Sequence, residues 1–120
     1  MARAEVIVHK NKNIVHIDLS KATLADIEQA IADASPLIHG KHDKSVLCWV
    51  NTEGTSMSVE VSEKLKSFTL KNKPYIKMTA ISGMAGVQKV VLSSIIMLTK
   101  RDNLVLKNTK EEALDFLAGM

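Results

Sequence analysis

The sequence predicts one α/β domain over residues 1–120: a five-stranded, mixed but mostly parallel sheet with an N-terminal antiparallel hairpin and four helices. Three observations carry that expectation. Val46-Leu47-Cys48-Trp49-Val50 is apolar without alternation, as a strand covered on both faces must be. Strand-like runs alternate with helical patterns of about 10–15 residues, the signature of right-handed βαβ units. Two further strand patterns sit together at the start, separated only by a polar turn.

Taken in order, residues 5–9 and 14–19 read as a hairpin around Lys10-Asn11-Lys12-Asn13, where Asn tolerates positive φ. Leu24, Ile27, Ile31, Ala34 and Ile38 then recur at helical spacing. Thr23 or Ser20 is available as N-cap, Gly40 is a stop, and Pro36 is expected to kink or shorten the last turn. After the loop 40–44 comes the central strand, 46–50. A second helix is expected over residues 58–70, carrying Val61, Leu65 and Phe68, until Lys71-Asn72-Lys73-Pro74 breaks it. Residues 75–82 form the next strand and 87–99 the third helix. Leu104-Val105-Leu106 is a short strand, and Thr109-Lys110-Glu111-Glu112 is a capping box opening the last helix.

Composition bounds the function. Apolar residues make up 46% and charged residues 24% of 120 residues, ordinary values for a soluble globular domain. The single Cys48 excludes an internal disulfide and sits in an apolar strand with nothing nearby to lower its pKa, so a buried, inert thiol is expected. No secretory signal opens the chain, and a cytoplasmic protein is expected. The longest apolar run, residues 90–98, is interrupted by Ser93-Ser94 and falls short of the roughly 20 residues that span a bilayer. The net charge of +3 comes from scattered lysines with only two arginines and four aromatic residues, which argues against nucleic acid. His9, His16, His39 and His42 lack the companions of a metal set, so no metal and no cofactor are expected.

The element order and several short stretches resemble the STAS domain, more closely its SpoIIAA-like branch of small stand-alone proteins. The likeness rests on Ile14-Val15-His16-Ile17-Asp18-Leu19-Ser20, the turn Asn51 to Ser58, Asn72-Lys73-Pro74-Tyr75-Ile76-Lys77, Ser82-Gly83-Met84-Ala85-Gly86-Val87-Gln88-Lys89-Val90, and the closing Thr109-to-Leu117 segment. The resemblance implies a bacterial, regulatory, non-catalytic module that meets a protein partner. In the antagonists of sigma-factor inhibitors, a Ser at the start of the second helix is phosphorylated. Ser58 falls near that position, but Asn51 replaces the family's first Asp and Val59 its Gly. The branch is also similar in fold to lipid-transfer domains, which implies a second possibility, an apolar ligand under a helix.

Parallel sheets of this kind place their sites at the carboxyl ends of the strands. The candidates for a ligand or partner are therefore Asp18, Asn51, Thr52, Ser56, Ser58, Ser82, Gly83 and Gly86. Each has a plainer reading: Ser56 or Ser58 as a helix cap, the glycines as a tight strand-to-helix turn. The two readings of Ser58 are compatible, because a phosphate at a helix N-terminus is favoured by the dipole. The Gly83 loop has the shape that can hold an anion on backbone N–H groups.

The third helix is apolar over more than one face, with Met84, Leu92, Ile96 and Met97 beyond the core stripe. That surplus points to fuller burial, a homodimer, a small apolar ligand or peripheral membrane contact. With no nucleophile–histidine–acid grouping, catalysis is not expected. The preferred reading is a small regulatory or protein-interaction module. Its competitor is an apolar-ligand or membrane-surface binder that uses the third helix.

Overall fold

In the computed structural model, which describes residues 3–55, 58–83, 90, 93–94 and 103–120, five strands form one sheet in the spatial order β1-β2-β3-β4-β5. The strands are β1 (Ala4–His9), β2 (Lys12–Asp18), β3 (Val46–Asn51), β4 (Ile76–Ser82) and β5 (Leu104–Leu106). The pair β1–β2 is antiparallel, and every other neighbouring pair is parallel. The hairpin is tighter than the sequence suggests. Lys10 and Asn11 alone make the turn, with φ of 48° and 67°. Positive φ at both central residues matches the twist of the flanking strands, so Lys12 and Asn13 are free to join β2.

Helix α1 (Leu24–Ile38) begins at Thr23, whose side chain accepts from the Asp26 N–H while Asp26 accepts from the Thr23 N–H. It runs through Pro36 to Ile38 and ends before Gly40, whose φ of +84° stops it. Helix α2 (Val59–Asn72) is capped by Ser58 and passes into a single 3-10 turn, Lys73–Tyr75, where Pro74 ends the α-helical ladder. Helix α3 (Lys110–Ala118) starts at Thr109, which accepts from the Glu112 N–H at 3.2 Å. The expected reciprocal arm reaches one residue further back: Glu112 accepts from the Asn108 N–H at 3.4 Å. The described residues thus hold three α-helices where four were expected. The expected third, 87–99, lies outside the described residues except for 90, 93 and 94, which have helical backbone.

The order of the strands decides which face each helix covers. Strands β2, β3 and β4 step sideways in one direction, so right-handed crossovers put α1 and α2 on the same face of the sheet. Accordingly α1 and α2 pack over Val15, Ile17, Val46, Cys48 and Ile76, with Ile27, Ala30, Ala34, Ile38, Val61 and Phe68 filling that core. Among the described helices, α3 alone covers the opposite face. Its Ala113, Leu114 and Leu117 cover Ile14, Leu47, Trp49 and Ala80. Because residues of a strand alternate between faces, β3 contributes to both cores and its first four residues are buried. The short α3, nine residues, covers less of its face than two longer helices cover of theirs. Among the described residues, the carboxyl-terminal end of the sheet therefore stays partly open on the α3 side.

Candidate functional site

At that open end, Trp49, Asn51, Glu53, Ser82, Gly83, Asn108, Thr109 and Lys110 line a cleft of about 510 Å³. Its floor is set by strand register. His16 lies beside Trp49 in the parallel β2–β3 pair, and the two rings stack with centroids 4.1 Å apart at 11°. Trp49 donates from Nε1 to the Ser82 hydroxyl at 2.8 Å, tying β3 to β4 on the same face. Lys110, in the first turn of α3, holds its ammonium 5.4 Å from the Trp49 ring, a long cation–π contact.

The strand ends are locked from beneath. Thr52 is buried, donating its hydroxyl to the Ser82 carbonyl at 2.8 Å while its N–H donates to the same oxygen at 2.9 Å. Thr55 is also buried, with its hydroxyl directed at the Leu19 and Thr52 carbonyls. Gly83 has φ +87°, and a Cβ there would stand 2.7 Å from the Glu53 backbone nitrogen. The turn after β3 is thus divided. Its threonines hold neighbouring strand ends together, while Glu53, Gly54 and Ser58 face solvent and Asn51 is half-buried. Asn51 Oδ1 accepts from the Glu53 N–H at 3.2 Å, shaping the exposed part.

Asp18 ends β2 beside Asn51 in register. Burial raises its pKa, but hydrogen bonds from the Ser20 hydroxyl (2.6 Å) and N–H (2.9 Å) outweigh that, helped by His16 and Arg3; the carboxyl stays below its ordinary 3.8. Burial lowers the pKa of His16 below 6.5, against the pull of Asp18 and Glu5 and with the help of Lys110. His16 Nε2 is buried without a hydrogen-bond partner among the described residues. The Ser20 and Ser82 hydroxyls are therefore not partners of this nitrogen. The cleft offers hydrogen-bonding groups, the opposite charges of Glu53 and Lys110, and a ring floor.

Of the residues expected at a site, the structure gathers Asn51, Ser82 and Gly83 around the cleft, with Asp18 one strand away. Thr52 lies under the rim, turned inward. Ser58 is exposed at the start of α2, where its hydroxyl accepts from the Val61 N–H at 3.1 Å. Ser56, Met84, Gly86, Leu92, Ile96 and Met97 lie outside the described residues. Sequence reasoning missed His16, Trp49 and Lys110. The first two were within reach, because alternation puts His16 with Asp18 and Trp49 with Asn51 on one face. Lys110 was not, since nothing local says which face α3 covers.

On the other face, an apolar space of about 60 Å³ lies between the sheet and α1 and α2, bordered by Cys48, Val50, Leu65, Phe68 and Ile81. Ligand pockets run to about 300 Å³ and above. No described helix is long and apolar enough to cross a membrane, and no cluster of metal-ligating side chains occurs among the described residues.

No family model matches the sequence, and no curated protein matches it either. Solved structures match over nearly the whole chain, among them these two. One is an uncharacterized protein of the DUF3478 family with a SpoIIAA-like fold from Shewanella loihica. It has a TM-score of 0.74 at 17% identity, covering 95% of this chain and 91% of that one. The other is an anti-sigma-factor antagonist (STAS) domain protein from Planctomyces limnophilus, with a TM-score of 0.66 at 15% identity, covering 96% and 97%. The class is therefore a STAS/SpoIIAA-like fold: one α/β domain with a five-stranded mixed sheet.

Proposed function

We propose that the chain is a non-catalytic regulatory module that docks a protein partner on the cleft at the carboxyl ends of β2, β3 and β4. One observation carries the reading. The polar rim made by Asn51, Glu53 and Lys110 is accessible, while the residues beneath it, Thr52, Thr55 and Ser82, are buried and hydrogen-bonded. A rim held by a rigid undercarriage loses little conformational entropy when a partner arrives, which favours tight docking. The fold neighbour described as an anti-sigma-factor antagonist supports a partner of protein type. Ser58 stands at the same end of the sheet and is exposed, so phosphorylation there would add charge beside the docking surface.

The test is affinity capture from the native lysate with three baits. The wild-type protein and a control variant, Glu63→Arg on the exposed side of α2, are expected to retain the same partner. The double variant Glu53→Arg/Lys110→Glu is expected to lose it, because both rim charges are reversed. Equal retention by all three baits would place the interaction elsewhere. Phosphosite mapping of the same preparations that found Ser58 unmodified under every growth condition would remove the switch.

A further inference from the structure

The two edges of the sheet are treated differently. β5 is an edge of three residues, short enough to offer little to a foreign strand. β1 is six residues long, contains no proline or lysine, and pairs with β2 without a register shift. Two of its side chains, Val6 and Val8, are 51% and 69% exposed on the face covered by α1. Natural edges are normally blunted by a bulge, a proline or an inward charge. β1 has no bulge and no proline, and its one carboxylate is the exposed Glu5.

The hairpin turn fixes which backbone groups are available. In a two-residue turn the flanking residues, here His9 and Lys12, exchange both hydrogen bonds, and bonded and non-bonded pairs alternate from there. Glu5, Ile7 and His9 therefore spend their N–H and C=O groups on β2. The Asp18 N–H donating to the Arg3 carbonyl at 2.8 Å continues the same phase. Ala4, Val6 and Val8 direct theirs outward, where no described strand meets them.

We propose that this edge pairs antiparallel with β1 of a second copy of the chain, about a two-fold axis through Ile7, joining two sheets into one of ten strands. Other antiparallel registers use the same outward groups, but they pair side chains worse. An axis at Glu5 would set two carboxylates face to face. An axis at Val6 would set Glu5 against Ile7. With the axis at Ile7, Val6 of each protomer faces Val8 of the other in a hydrogen-bonded pair, giving four hydrogen bonds. Ile7 faces Ile7, and Glu5 faces His9, whose Nε2 is held by Asp115 of its own chain at 2.9 Å, as Lys10 Nζ is at 3.0 Å. Arg3 does not disturb this arrangement, because it is engaged within its own chain by Asp26 at 3.5 Å and the Asp18 carbonyl at 3.1 Å. The strand is therefore complementary to itself in backbone hydrogen bonding and in its apolar pairs, and sets no two carboxylates face to face, as an isologous contact requires. The contact is confined to one strand, so a reversible dimer of modest affinity is expected.

Sedimentation velocity over a wide concentration series should show the wild-type protein passing from monomer to dimer. Val8→Lys should remain monomeric throughout; its side chain is exposed, so the fold is retained. A cysteine scan under mild oxidation then reads the register. A non-hydrogen-bonded antiparallel pair brings its Cα atoms to about 4.5 Å, within disulfide range. Ile7→Cys should form a covalent dimer, whereas Val6→Cys and Val8→Cys should not. A wild-type protein that stays monomeric, a Val8→Lys variant that dimerises as well as wild type, or cross-linking by Val6→Cys in place of Ile7→Cys would each overturn the proposal.

Discussion

Replacing Gly83 with alanine tests the packing that shapes the rim. At φ +87° an added Cβ meets left-handed backbone strain of about 1–2 kcal/mol. It also comes to 2.7 Å from the nitrogen, 3.0 Å from the Cα and 3.1 Å from the Cβ of Glu53. The first two of these atoms are backbone and cannot rotate away, so the strand ends must separate, at about 1–3 kcal/mol for forced overpacking. Together the loss is about 2–5 kcal/mol, a large share of the 5–15 kcal/mol that holds an ordinary domain. Gly40 supplies the control. Its φ is +84°, but a Cβ there meets nothing within 4 Å, so Gly40→Ala should lose only the backbone part, about 1–2 kcal/mol. Both substitutions stiffen the unfolded chain equally, and that effect cancels in the comparison. Urea unfolding followed by the fluorescence of buried Trp49 measures both variants. Equal losses for the two glycines would refute the argument that Gly83 is required by contact with Glu53.

Ser82→Ala should leave the buried Trp49 Nε1–H without an acceptor and cost about 1–3 kcal/mol in urea unfolding, with a shift in Trp49 emission; a neutral substitution would mean that the indole finds another acceptor. Ser58→Ala should cost about 1 kcal/mol through loss of the α2 cap, read as a lower thermal midpoint, while Ser58→Asp should keep most of the stability. For pH, the folded state holds the pKa of His16 below 6.5. The unfolded chain therefore binds the proton first, and stability falls as the pH drops below about 6.5. Asp18, held below 3.8 when folded, adds a further loss as the pH falls from near 3.8 through its folded value. An NMR titration that found His16 ionising at or above 6.5 would contradict the burial of its ring against Trp49.

Much of this protein is decided by local signals. The apolar run at Val46–Val50 needs cover on both sides, and β3 does sit in the middle of the sheet with a core on each face. Thr23 and Thr109 are caps because their hydroxyls compete well for free helix N–H groups, and each begins a helix as expected. The breaker at Pro74 and the stop at Gly40 act through their own φ preferences. These choices involve neighbours a few residues apart, so a linear pattern contains them.

Which hydroxyl serves as structure and which as surface was settled only in three dimensions. Thr52 and Ser58 look alike in the chain, yet Thr52 is buried under Ser82, 30 residues away, and Ser58 faces solvent. Trp49 and His16 become a stacked pair through parallel register, and Lys110 joins them because α3 packs on the face opposite α1 and α2. Periodicity specifies that a segment has an inside and an outside. Only the order of strands in the sheet specifies what stands on either side.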